Sequence, residues 1–403
     1  MVTLSEKEKC TGCTACYSSC PQSAILMVED EEGFLYPVVK SEQCVSCGKC
    51  VRVCPVLQTK SKNQVIKSFV AINNNDAERV ASSSGGVFSV IAKYILNEGG
   101  VVFGAAFDEN FVVRHIAIEN ESDLYRLRMS KYVQSDITDT IMQVANYLKN
   151  GRQVLFSGTP CQIEGLNACI KDDNLILLDV VCHGVPSPKV FEKYKNAVEE
   201  ISKSKITNIY FRSKIMGHHL STISVELSNN KILHSTKLVK SFTKLWFTGL
   251  ISRPSCHNCS FKTLGRVSDF TLFDAFNSPE YFEFKDDDYG ASNVYIRTKK
   301  GLYIWNQIQN MLQCKETNCN NVNILDGDMI MDSAKIHARK CNFFKDCDTM
   351  PYAELIDKYI PYSKKEFFMD IVKRISVVLR LNKKLSFRKF FYKLKRTSER
   401  TKP

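Results

Sequence analysis

The sequence predicts an α+β N-terminal module, an α/β mixed-sheet body and a basic helical tail. Three observations carry that reading: a duplicated cysteine block in the first 60 residues, alternating strand and helix patterns from about Val65, and positive charge gathered at the C-terminal end. With 403 residues, 44% hydrophobic, the chain can build two or three domains of roughly 100–200 residues each. Charged residues make up 24%, which excludes wholesale disorder. No apolar run approaches the roughly 18 residues of a membrane-crossing helix. The opening MVTLSEKEKC lacks the apolar core of an export signal. A cytoplasmic location is expected.

The module is assigned to residues 1–60. Cys10, Cys13, Cys16 and Cys20-Pro21 form one block, and Cys44, Cys47, Cys50 and Cys54-Pro55 form the other. Both read C-x-x-C-x-x-C-x-x-x-C-P. Between them Ile25–Val28, an acidic turn ending at Gly33, and Phe34–Val39 read as a hairpin. In a reducing compartment such thiols do not persist as disulfides, so metal is the first reading. Three cysteines at successive three-residue spacings with a fourth before proline match the two-cluster bacterial ferredoxin pattern, in which the fourth cysteine ligates the other cluster. On that pattern Cys10, Cys13, Cys16 and Cys54 hold one 4Fe-4S cluster, and Cys44, Cys47, Cys50 and Cys20 the second. Gly12 and Gly48 leave room for the backbone to wrap each cluster. The alternative is a pair of structural zinc sites, which would need only paired C-x-x-C ligands.

After a polar linker, Gln58–Gln64, a body is assigned to residues 65–350. Strands are expected at Val65–Ile72, Val101–Phe107, Val154–Phe156, Leu175–Val181, Phe270–Phe273 and Val294–Ile296, with short strands in 205–238. Helical spacing marks Gly85–Leu96, Ile137–Leu148 and 188–203. Strand ends and loops should then carry function. Cys161 follows the turn Ser157-Gly158-Thr159-Pro160, Cys182 ends a buried strand, and Cys256 and Cys259 form C-x-x-C in a polar loop. Four thiolates arriving from three segments would suit a third 4Fe-4S cluster. Inert buried thiols at Cys161 and Cys182, with zinc or nothing at Cys256/Cys259, are the alternative. Cys169, Cys314, Cys319, Cys341 and Cys347 read as ordinary thiols, the last four with a zinc site as the alternative.

Among other candidates, Ser82-Ser83-Ser84-Gly85-Gly86 sits between a strand and a helix, where exposed amides suit a phosphate or simply cap the helix. Ser130-Lys131-Tyr132 and Gln134-Ser135 form a polar cluster in which Lys131 would steady an anionic flavin ring or phosphate, or else lie on a solvated surface. His183 has a side chain that titrates near neutrality, fit for proton transfer or for structural hydrogen bonding. Asp269 and Asp274 flank a short strand and would orient a ribose or cap turns.

The tail is assigned to residues 351–403. Residues 361–403 hold 14 Lys/Arg against 3 Asp/Glu, whereas the rest of the chain holds 41 against 40. A balanced body argues against nucleic-acid binding over a broad face. Within 366–396, Phe367, Phe368, Ile371, Ile375, Val378 and Leu379, then Phe387, Phe390, Phe391 and Leu394, fall on one helical side. Such a segment lies on an anionic membrane, docks a partner, or extends into solvent.

Several of these motifs together resemble the beta subunit of coenzyme F420 hydrogenase/dehydrogenase. They are Ser83-Ser84-Gly85-Gly86, Ser130-Lys131-Tyr132, Gly158-Thr159-Pro160-Cys161-Gln162, Cys182-His183-Gly184-Val185, and Cys256/Cys259 with Ser268-Asp269. The resemblance spans about 65–345 and leaves the tail unmatched. It implies an α/β flavin-binding domain with FAD, and a 4Fe-4S cluster held by Cys161, Cys182, Cys256 and Cys259. It implies flavin contacts from Ser83, Ser84, Gly85, Gly86, Ser130, Lys131 and Tyr132, with Gly158 and Thr159 beside them. His183 and Lys131 are the candidate catalytic residues.

The expected function is that of an iron–sulfur flavoprotein oxidoreductase passing electrons between 4Fe-4S clusters, FAD and a small hydride-type substrate, coenzyme F420 or an analogue. A redox partner protein is expected, either a ferredoxin or a hydrogenase/dehydrogenase subunit. Peripheral contact with the inner face of the membrane would run through 366–396. The competing readings are an electron-transfer subunit without its own substrate site and a zinc-stabilised interaction protein.

Overall fold

The computed structural model describes residues 2–58, 62–280, 287–384 and 386. The hairpin between the cysteine blocks is present as β1 (Ile25–Glu29) and β2 (Leu35–Val39), paired antiparallel. Each block turns into one short helix, Ala15–Ser18 and Lys49–Arg52. Of the linker, residues 59–61 lie outside the described residues.

The body is one eight-stranded mixed sheet. Its strands are β3 (Lys67–Asn73), β4 (Val101–Phe107), β5 (Val113–Ile118), β6 (Val154–Gly158), β7 (Leu175–Val180), β11 (Phe270–Asp274), β12 (Ser292–Ile296) and β13 (Leu312–Glu316). They lie in the order β13-β3-β12-β11-β7-β6-β4-β5. The centre is parallel (β4–β6, β6–β7 and β7–β11) and both flanks are antiparallel. The parallel strands read as near-continuous apolar runs because helices cover both faces. Helix Val87–Asn97 buries Val90, Ile91 and Ile95 on one face, and helices Thr140–Lys149 and Pro160–Cys169 pack through Val144, Ile163 and Leu166. A smaller antiparallel sheet, β8 (Ile206–Ser213), β9 (Thr222–Leu227) and β10 (Ile232–His234), packs on helices Pro188–Ser202 and Lys237–Phe247.

Two expectations need correction. A short helix, Asp76–Val80, intervenes between β3 and the Ser82–Gly86 loop, so that loop joins two helices. The tail also starts later than 351: helix Tyr352–Tyr359 buries Tyr352, Leu355 and Ile356 in the core around Tyr194 and Phe242. The charge of the residues that follow masks its apolar periodicity.

Beyond it, helix Lys364–Val378 opens with a capping box from Ser363 and Glu366. Met369, Val372 and Val377 pack on Met216 and Leu220, and buried Asp370 pairs with Lys240 at 2.8 Å. The expected apolar stripe is the opposite, outward side, where Phe368 is 64% and Val378 81% exposed. Phe387, Phe390, Phe391 and Leu394 lie outside the described residues.

Candidate cysteine-lined redox sites

The crossed pattern of the N-terminal cysteines appears as two recesses. Cys10, Cys13, Cys16 and Cys54 line one of about 400 Å³, together with Leu4, Met27, Pro37 and Val56. Cys20, Cys44, Cys47 and Cys50 line the other, of about 350 Å³, with Ala24, Ile25 and Val39. Each short helix carries its fourth cysteine away from the first three and into the other recess. The chain must wind tightly to aim three successive thiols inward, and Gly12 and Gly48 sit at φ +68° and +70°, where glycine alone is unstrained.

All eight thiols are free. Burial pushes Cys13 well above its ordinary range and Cys16 up to about 12, with neighbouring cysteines adding to both shifts. The amides of Ala15 and Tyr17 act the other way, donating to Cys13 and Cys16. Cys13 and Cys16, buried side by side, do not ionise together without a cationic core beside them, and that is the environment a thiolate-ligated cluster requires. Among the described residues no group of three or more His, Cys, Asp or Glu converges as a single ion requires. The four thiols that line each recess fit the ligand set of a 4Fe-4S cube.

The body cysteines meet at one end of the parallel strands. Neighbouring β6 and β7 run parallel, so the residues that follow them emerge at the same edge. Cys161 lies in the first turn of helix Pro160–Cys169, where the helix dipole favours a thiolate. Cys182 follows β7, and the turn Pro254–Asn258 brings Cys256 and Cys259 over them. Burial raises Cys161 to about 12, and Cys259 and Cys182 raise it further; Cys256 is raised by burial and then by Cys182, Cys161 and Cys259. The four are therefore mutual neighbours.

Their positions are fixed by hydrogen bonds. The Val185 amide donates to Cys256 Sγ at 3.4 Å, Thr159 Oγ1 lies 3.2 Å from Cys161 Sγ, and the Cys259 amide donates to Ser333 Oγ at 3.0 Å. Lys262 Nζ donates to the Cys182 carbonyl at 2.6 Å, and its charge draws the Cys182 thiol down against burial. Around the set, the buried hydroxyls of Ser252 and Ser255 and His257 Nε2 have no partner among the described residues. The two orphaned hydroxyls can donate, and beside four half-buried thiols they fit a sulfide-bearing group there; His257, whose Nδ1 donates to the Ala334 carbonyl at 2.9 Å, presents Nε2 as an acceptor.

Helix Pro160–Cys169 also joins this set to the first recess. A Cβ at Gly165 would lie 2.8 Å from Cys13 Cβ and 2.9 Å from its Sγ. Cys169 Sγ donates to the Ala15 carbonyl at 3.6 Å, so Cys169 belongs to the seam between module and body. Ser187 Oγ donates to the Glu32 carbonyl at 2.5 Å, and Lys340 pairs with the Glu32 carboxylate.

The residues expected around a flavin fall into three places. The loops of Ser83 and Ser130 meet: the Ser130 amide donates to Ser83 Oγ at 2.8 Å, and the two hydroxyls are 3.1 Å apart. Ser84 Oγ donates to the Ala291 carbonyl, the Gly85 amide to Ser292 Oγ, and Gly86 opens helix Val87–Asn97. Lys131 Nζ turns back onto the carbonyls of Arg126 and Arg128, both at 2.7 Å, and burial lowers it to about 7. Tyr132 packs at a tilt on Trp246, and its hydroxyl accepts from Arg212 Nη1 at 3.2 Å. Thr159 caps helix Pro160–Cys169 with Gln162, and Gly158 sits against Gln162 and Phe156. His183 packs on Trp246 and Phe247, and burial with the nearby Lys262 charge lowers its pKa. Trp246 thus touches both Tyr132 and His183.

Sequence reasoning missed the buried network behind these loops. Arg212 forms a forked pair with Asp274, with bonds of 2.7 and 3.2 Å, and His218 Nε2 lies 3.2 Å from the same carboxylate. Asp274 is the strand-end acid noted above; its carboxyl stays well below the usual range because Arg212 outweighs its burial. Lys214 Nζ donates to the carbonyls of Arg79, Ser84 and Tyr289. Asp269, its counterpart, accepts from the Leu177 amide and from Thr298, a structural role. Only spatial neighbours reveal this network.

Residues 151–321 match the family described as coenzyme F420 hydrogenase/dehydrogenase, C terminus of the beta subunit, and residues 9–57 match a 4Fe-4S dicluster domain. A subunit of the F(420)H(2) dehydrogenase of Methanosarcina mazei is 23% identical over 225 residues, spanning 50% of this chain and 63% of that protein. The coenzyme F420-dependent sulfite reductase of Methanocaldococcus jannaschii is 27% identical over 160 residues, 39% of this chain and 24% of that one. The PorD subunit of pyruvate synthase from Thermotoga maritima is 36% identical over 55 residues, 14% of this chain and 52% of the relative. The chain thus covers less than two thirds of each of these three relatives. A solved F420-reducing [NiFe] hydrogenase complex from Methanosarcina barkeri aligns over 68% of this chain and 91% of its own, with a TM-score of 0.45 and 17% identity. Residues 151–321 of this chain thus belong to the family of the coenzyme F420 hydrogenase/dehydrogenase beta subunit, C terminus, with a 4Fe-4S dicluster domain ahead of them at residues 9–57.

Proposed function

We propose that the chain is an iron–sulfur flavoprotein oxidoreductase that exchanges electrons with a redox partner protein and a hydride-type small molecule, coenzyme F420 or an analogue. The observation that carries this reading is the continuity of three cysteine-lined sites. Cys13 of the first recess packs on Gly165 of the helix whose first turn carries Cys161, and the two thiols are near enough to influence each other electrostatically. When bound, 4Fe-4S clusters supply one-electron transfer and FAD supplies conversion between hydride and single electrons.

The chain's residues supply ligation, order and shielding. Cys10, Cys13, Cys16 and Cys54 would hold the first cluster, Cys20, Cys44, Cys47 and Cys50 the second, and Cys161, Cys182, Cys256 and Cys259 the third. The loops of Ser83–Gly86 and Ser130–Tyr132 would receive the flavin, with Lys214 and Lys131 fixing backbone carbonyls behind them. His183, packed on Trp246 and Phe247, would be the group that exchanges a proton at its imidazole.

Anaerobically purified protein should contain about twelve irons, four per cluster, with about one FAD per chain. About eight irons without flavin would favour an electron relay lacking a substrate site. Zinc without iron would end both readings.

For the outward stripe Phe367, Phe368, Ile375, Val378 and Leu379, we infer contact with an anionic membrane surface. Lys364, Lys365, Lys373 and Arg374 stand on the same helix, with Arg380 just beyond its end, and its two acids, Glu366 and Asp370, are already paired with Lys244 and Lys240. Such a helix lies in the interface and does not span it; no helix of the described residues is long and apolar enough to cross. In flotation of the full chain, vesicles containing phosphatidylglycerol should carry it upward and pure phosphatidylcholine vesicles should not. Phe367→Asp/Phe368→Asp should abolish flotation. Absence of flotation with anionic vesicles, or an unchanged result for the variant, would remove the inference.

A further inference from the structure

Arg253 is among the largest fully buried side chains of the protein, 1% exposed, and among the described residues no carboxylate pairs with it. Its guanidinium donates to the Cys10 carbonyl at 2.8 Å, the Leu35 carbonyl at 2.9 Å and Gln134 Oε1 at 2.9 Å. It lies 4.1 Å from the Tyr36 ring centroid and 5.4 Å from that of Phe34. Every one of these partners is formally neutral. Burying a cation among neutral groups is costly, and carbonyl dipoles and ring faces offset that cost only in part. Gln134 bridges onward, its amide donating to the Thr11 carbonyl.

The position explains what is missing. Arg253 presses against the first cysteine loop, because a Cβ at Gly12 would lie 2.9 Å from its Nη1. Its own backbone belongs to the body's cysteine turn: the Arg253 carbonyl accepts from the Cys256 amide at 2.9 Å, and its amide donates to the Val185 carbonyl. Its charge also reaches Cys161. A positive side chain with no negative neighbour therefore stands between two sets of four cysteines. A cube held by four thiolates carries net negative charge, and local charge and hydrogen bonding set its potential. The second recess, lined by Cys20, Cys44, Cys47 and Cys50, makes no contact with Arg253 among the described residues.

We propose that Arg253 is a positioning and charge-compensating residue that docks the N-terminal module on the body and raises the reduction potentials of the two clusters flanking it, leaving the cluster of the second recess as an internal reference. This rests on the cluster assignment above. Iron content tests that assignment, and potentials at full iron content test the role of Arg253.

The experiment is an EPR-monitored redox titration of the anaerobic full chain beside Arg253→Gln and Arg253→Lys. Both variants lose the guanidinium fork and its packing, but only one loses the charge. Arg253→Gln should shift the flanking clusters to lower potential by about a tenfold change in the reduction equilibrium, about 59 mV for one electron. Arg253→Lys should stay near the parent, and the cluster of the second recess should not move in either. Equal shifts in both variants, or none in either at full iron content, would overturn the proposal. So would loss of the flanking clusters in both, since that outcome would leave Arg253 a purely structural support.

Discussion

In each N-terminal recess, three of the four cysteines arrive through tight three-residue turns of one short segment. In the body, Cys161, Cys182 and the Cys256/Cys259 pair come from three separate segments, two of them following adjacent parallel strands. The first kind of site is encoded by spacing and two left-handed glycines. The second is encoded by sheet order, by helix caps and by buried polar groups distant in sequence. A four-cysteine set can therefore be local or tertiary within one chain, and the two kinds should fail differently.

The seam between them is where the comparison breaks most sharply. Gly165 faces Cys13 with no space for a Cβ. Overpacking of this kind costs about 1–3 kcal/mol. Gly165→Ala should displace the first recess and lower bound iron by about four atoms, one cluster, while the cysteines of the second recess keep theirs. Iron analysis together with the EPR signature of the remaining clusters reads this directly. A smaller effect separates the regions by pH. Burial, with Arg212 and Arg79 nearby, lowers Lys214 from 10.5 to about 7. Between those values the unfolded chain binds more protons than the native one, so unfolding free energy rises with pH across that window. Lys214→Met should flatten this rise in urea unfolding followed at pH 7 and pH 10. An undiminished slope would show that Lys214 does not set it.

This division also governs what is legible in advance. The pairing of Cys54 with the first block and of Cys20 with the second follows from a repeat visible within 60 residues. The parallel core strands are legible from their apolar runs, whereas edge strands β5 and β13 are not, since VRHIAI and LQCKE alternate weakly and carry charge. Arg253 cannot be read as special, because its acceptors at Cys10 and Leu35 lie more than 200 residues away. Lys214 and Arg212 are ordinary cations in sequence and become a network only beside Asp274 and the Ser84 loop. Lys131 shows the converse. Its position stands out in the sequence, but its ammonium is committed to two carbonyls of its own segment, which makes it a loop brace in this structure.

The most direct test of the central claim, that a tertiary cysteine set continues the local ones, is iron and acid-labile sulfide per chain in anaerobic protein and in Cys182→Ser. About twelve irons in the parent and about eight in the variant, with ferredoxin-type signals retained, is the expected result. About eight in both would contradict it.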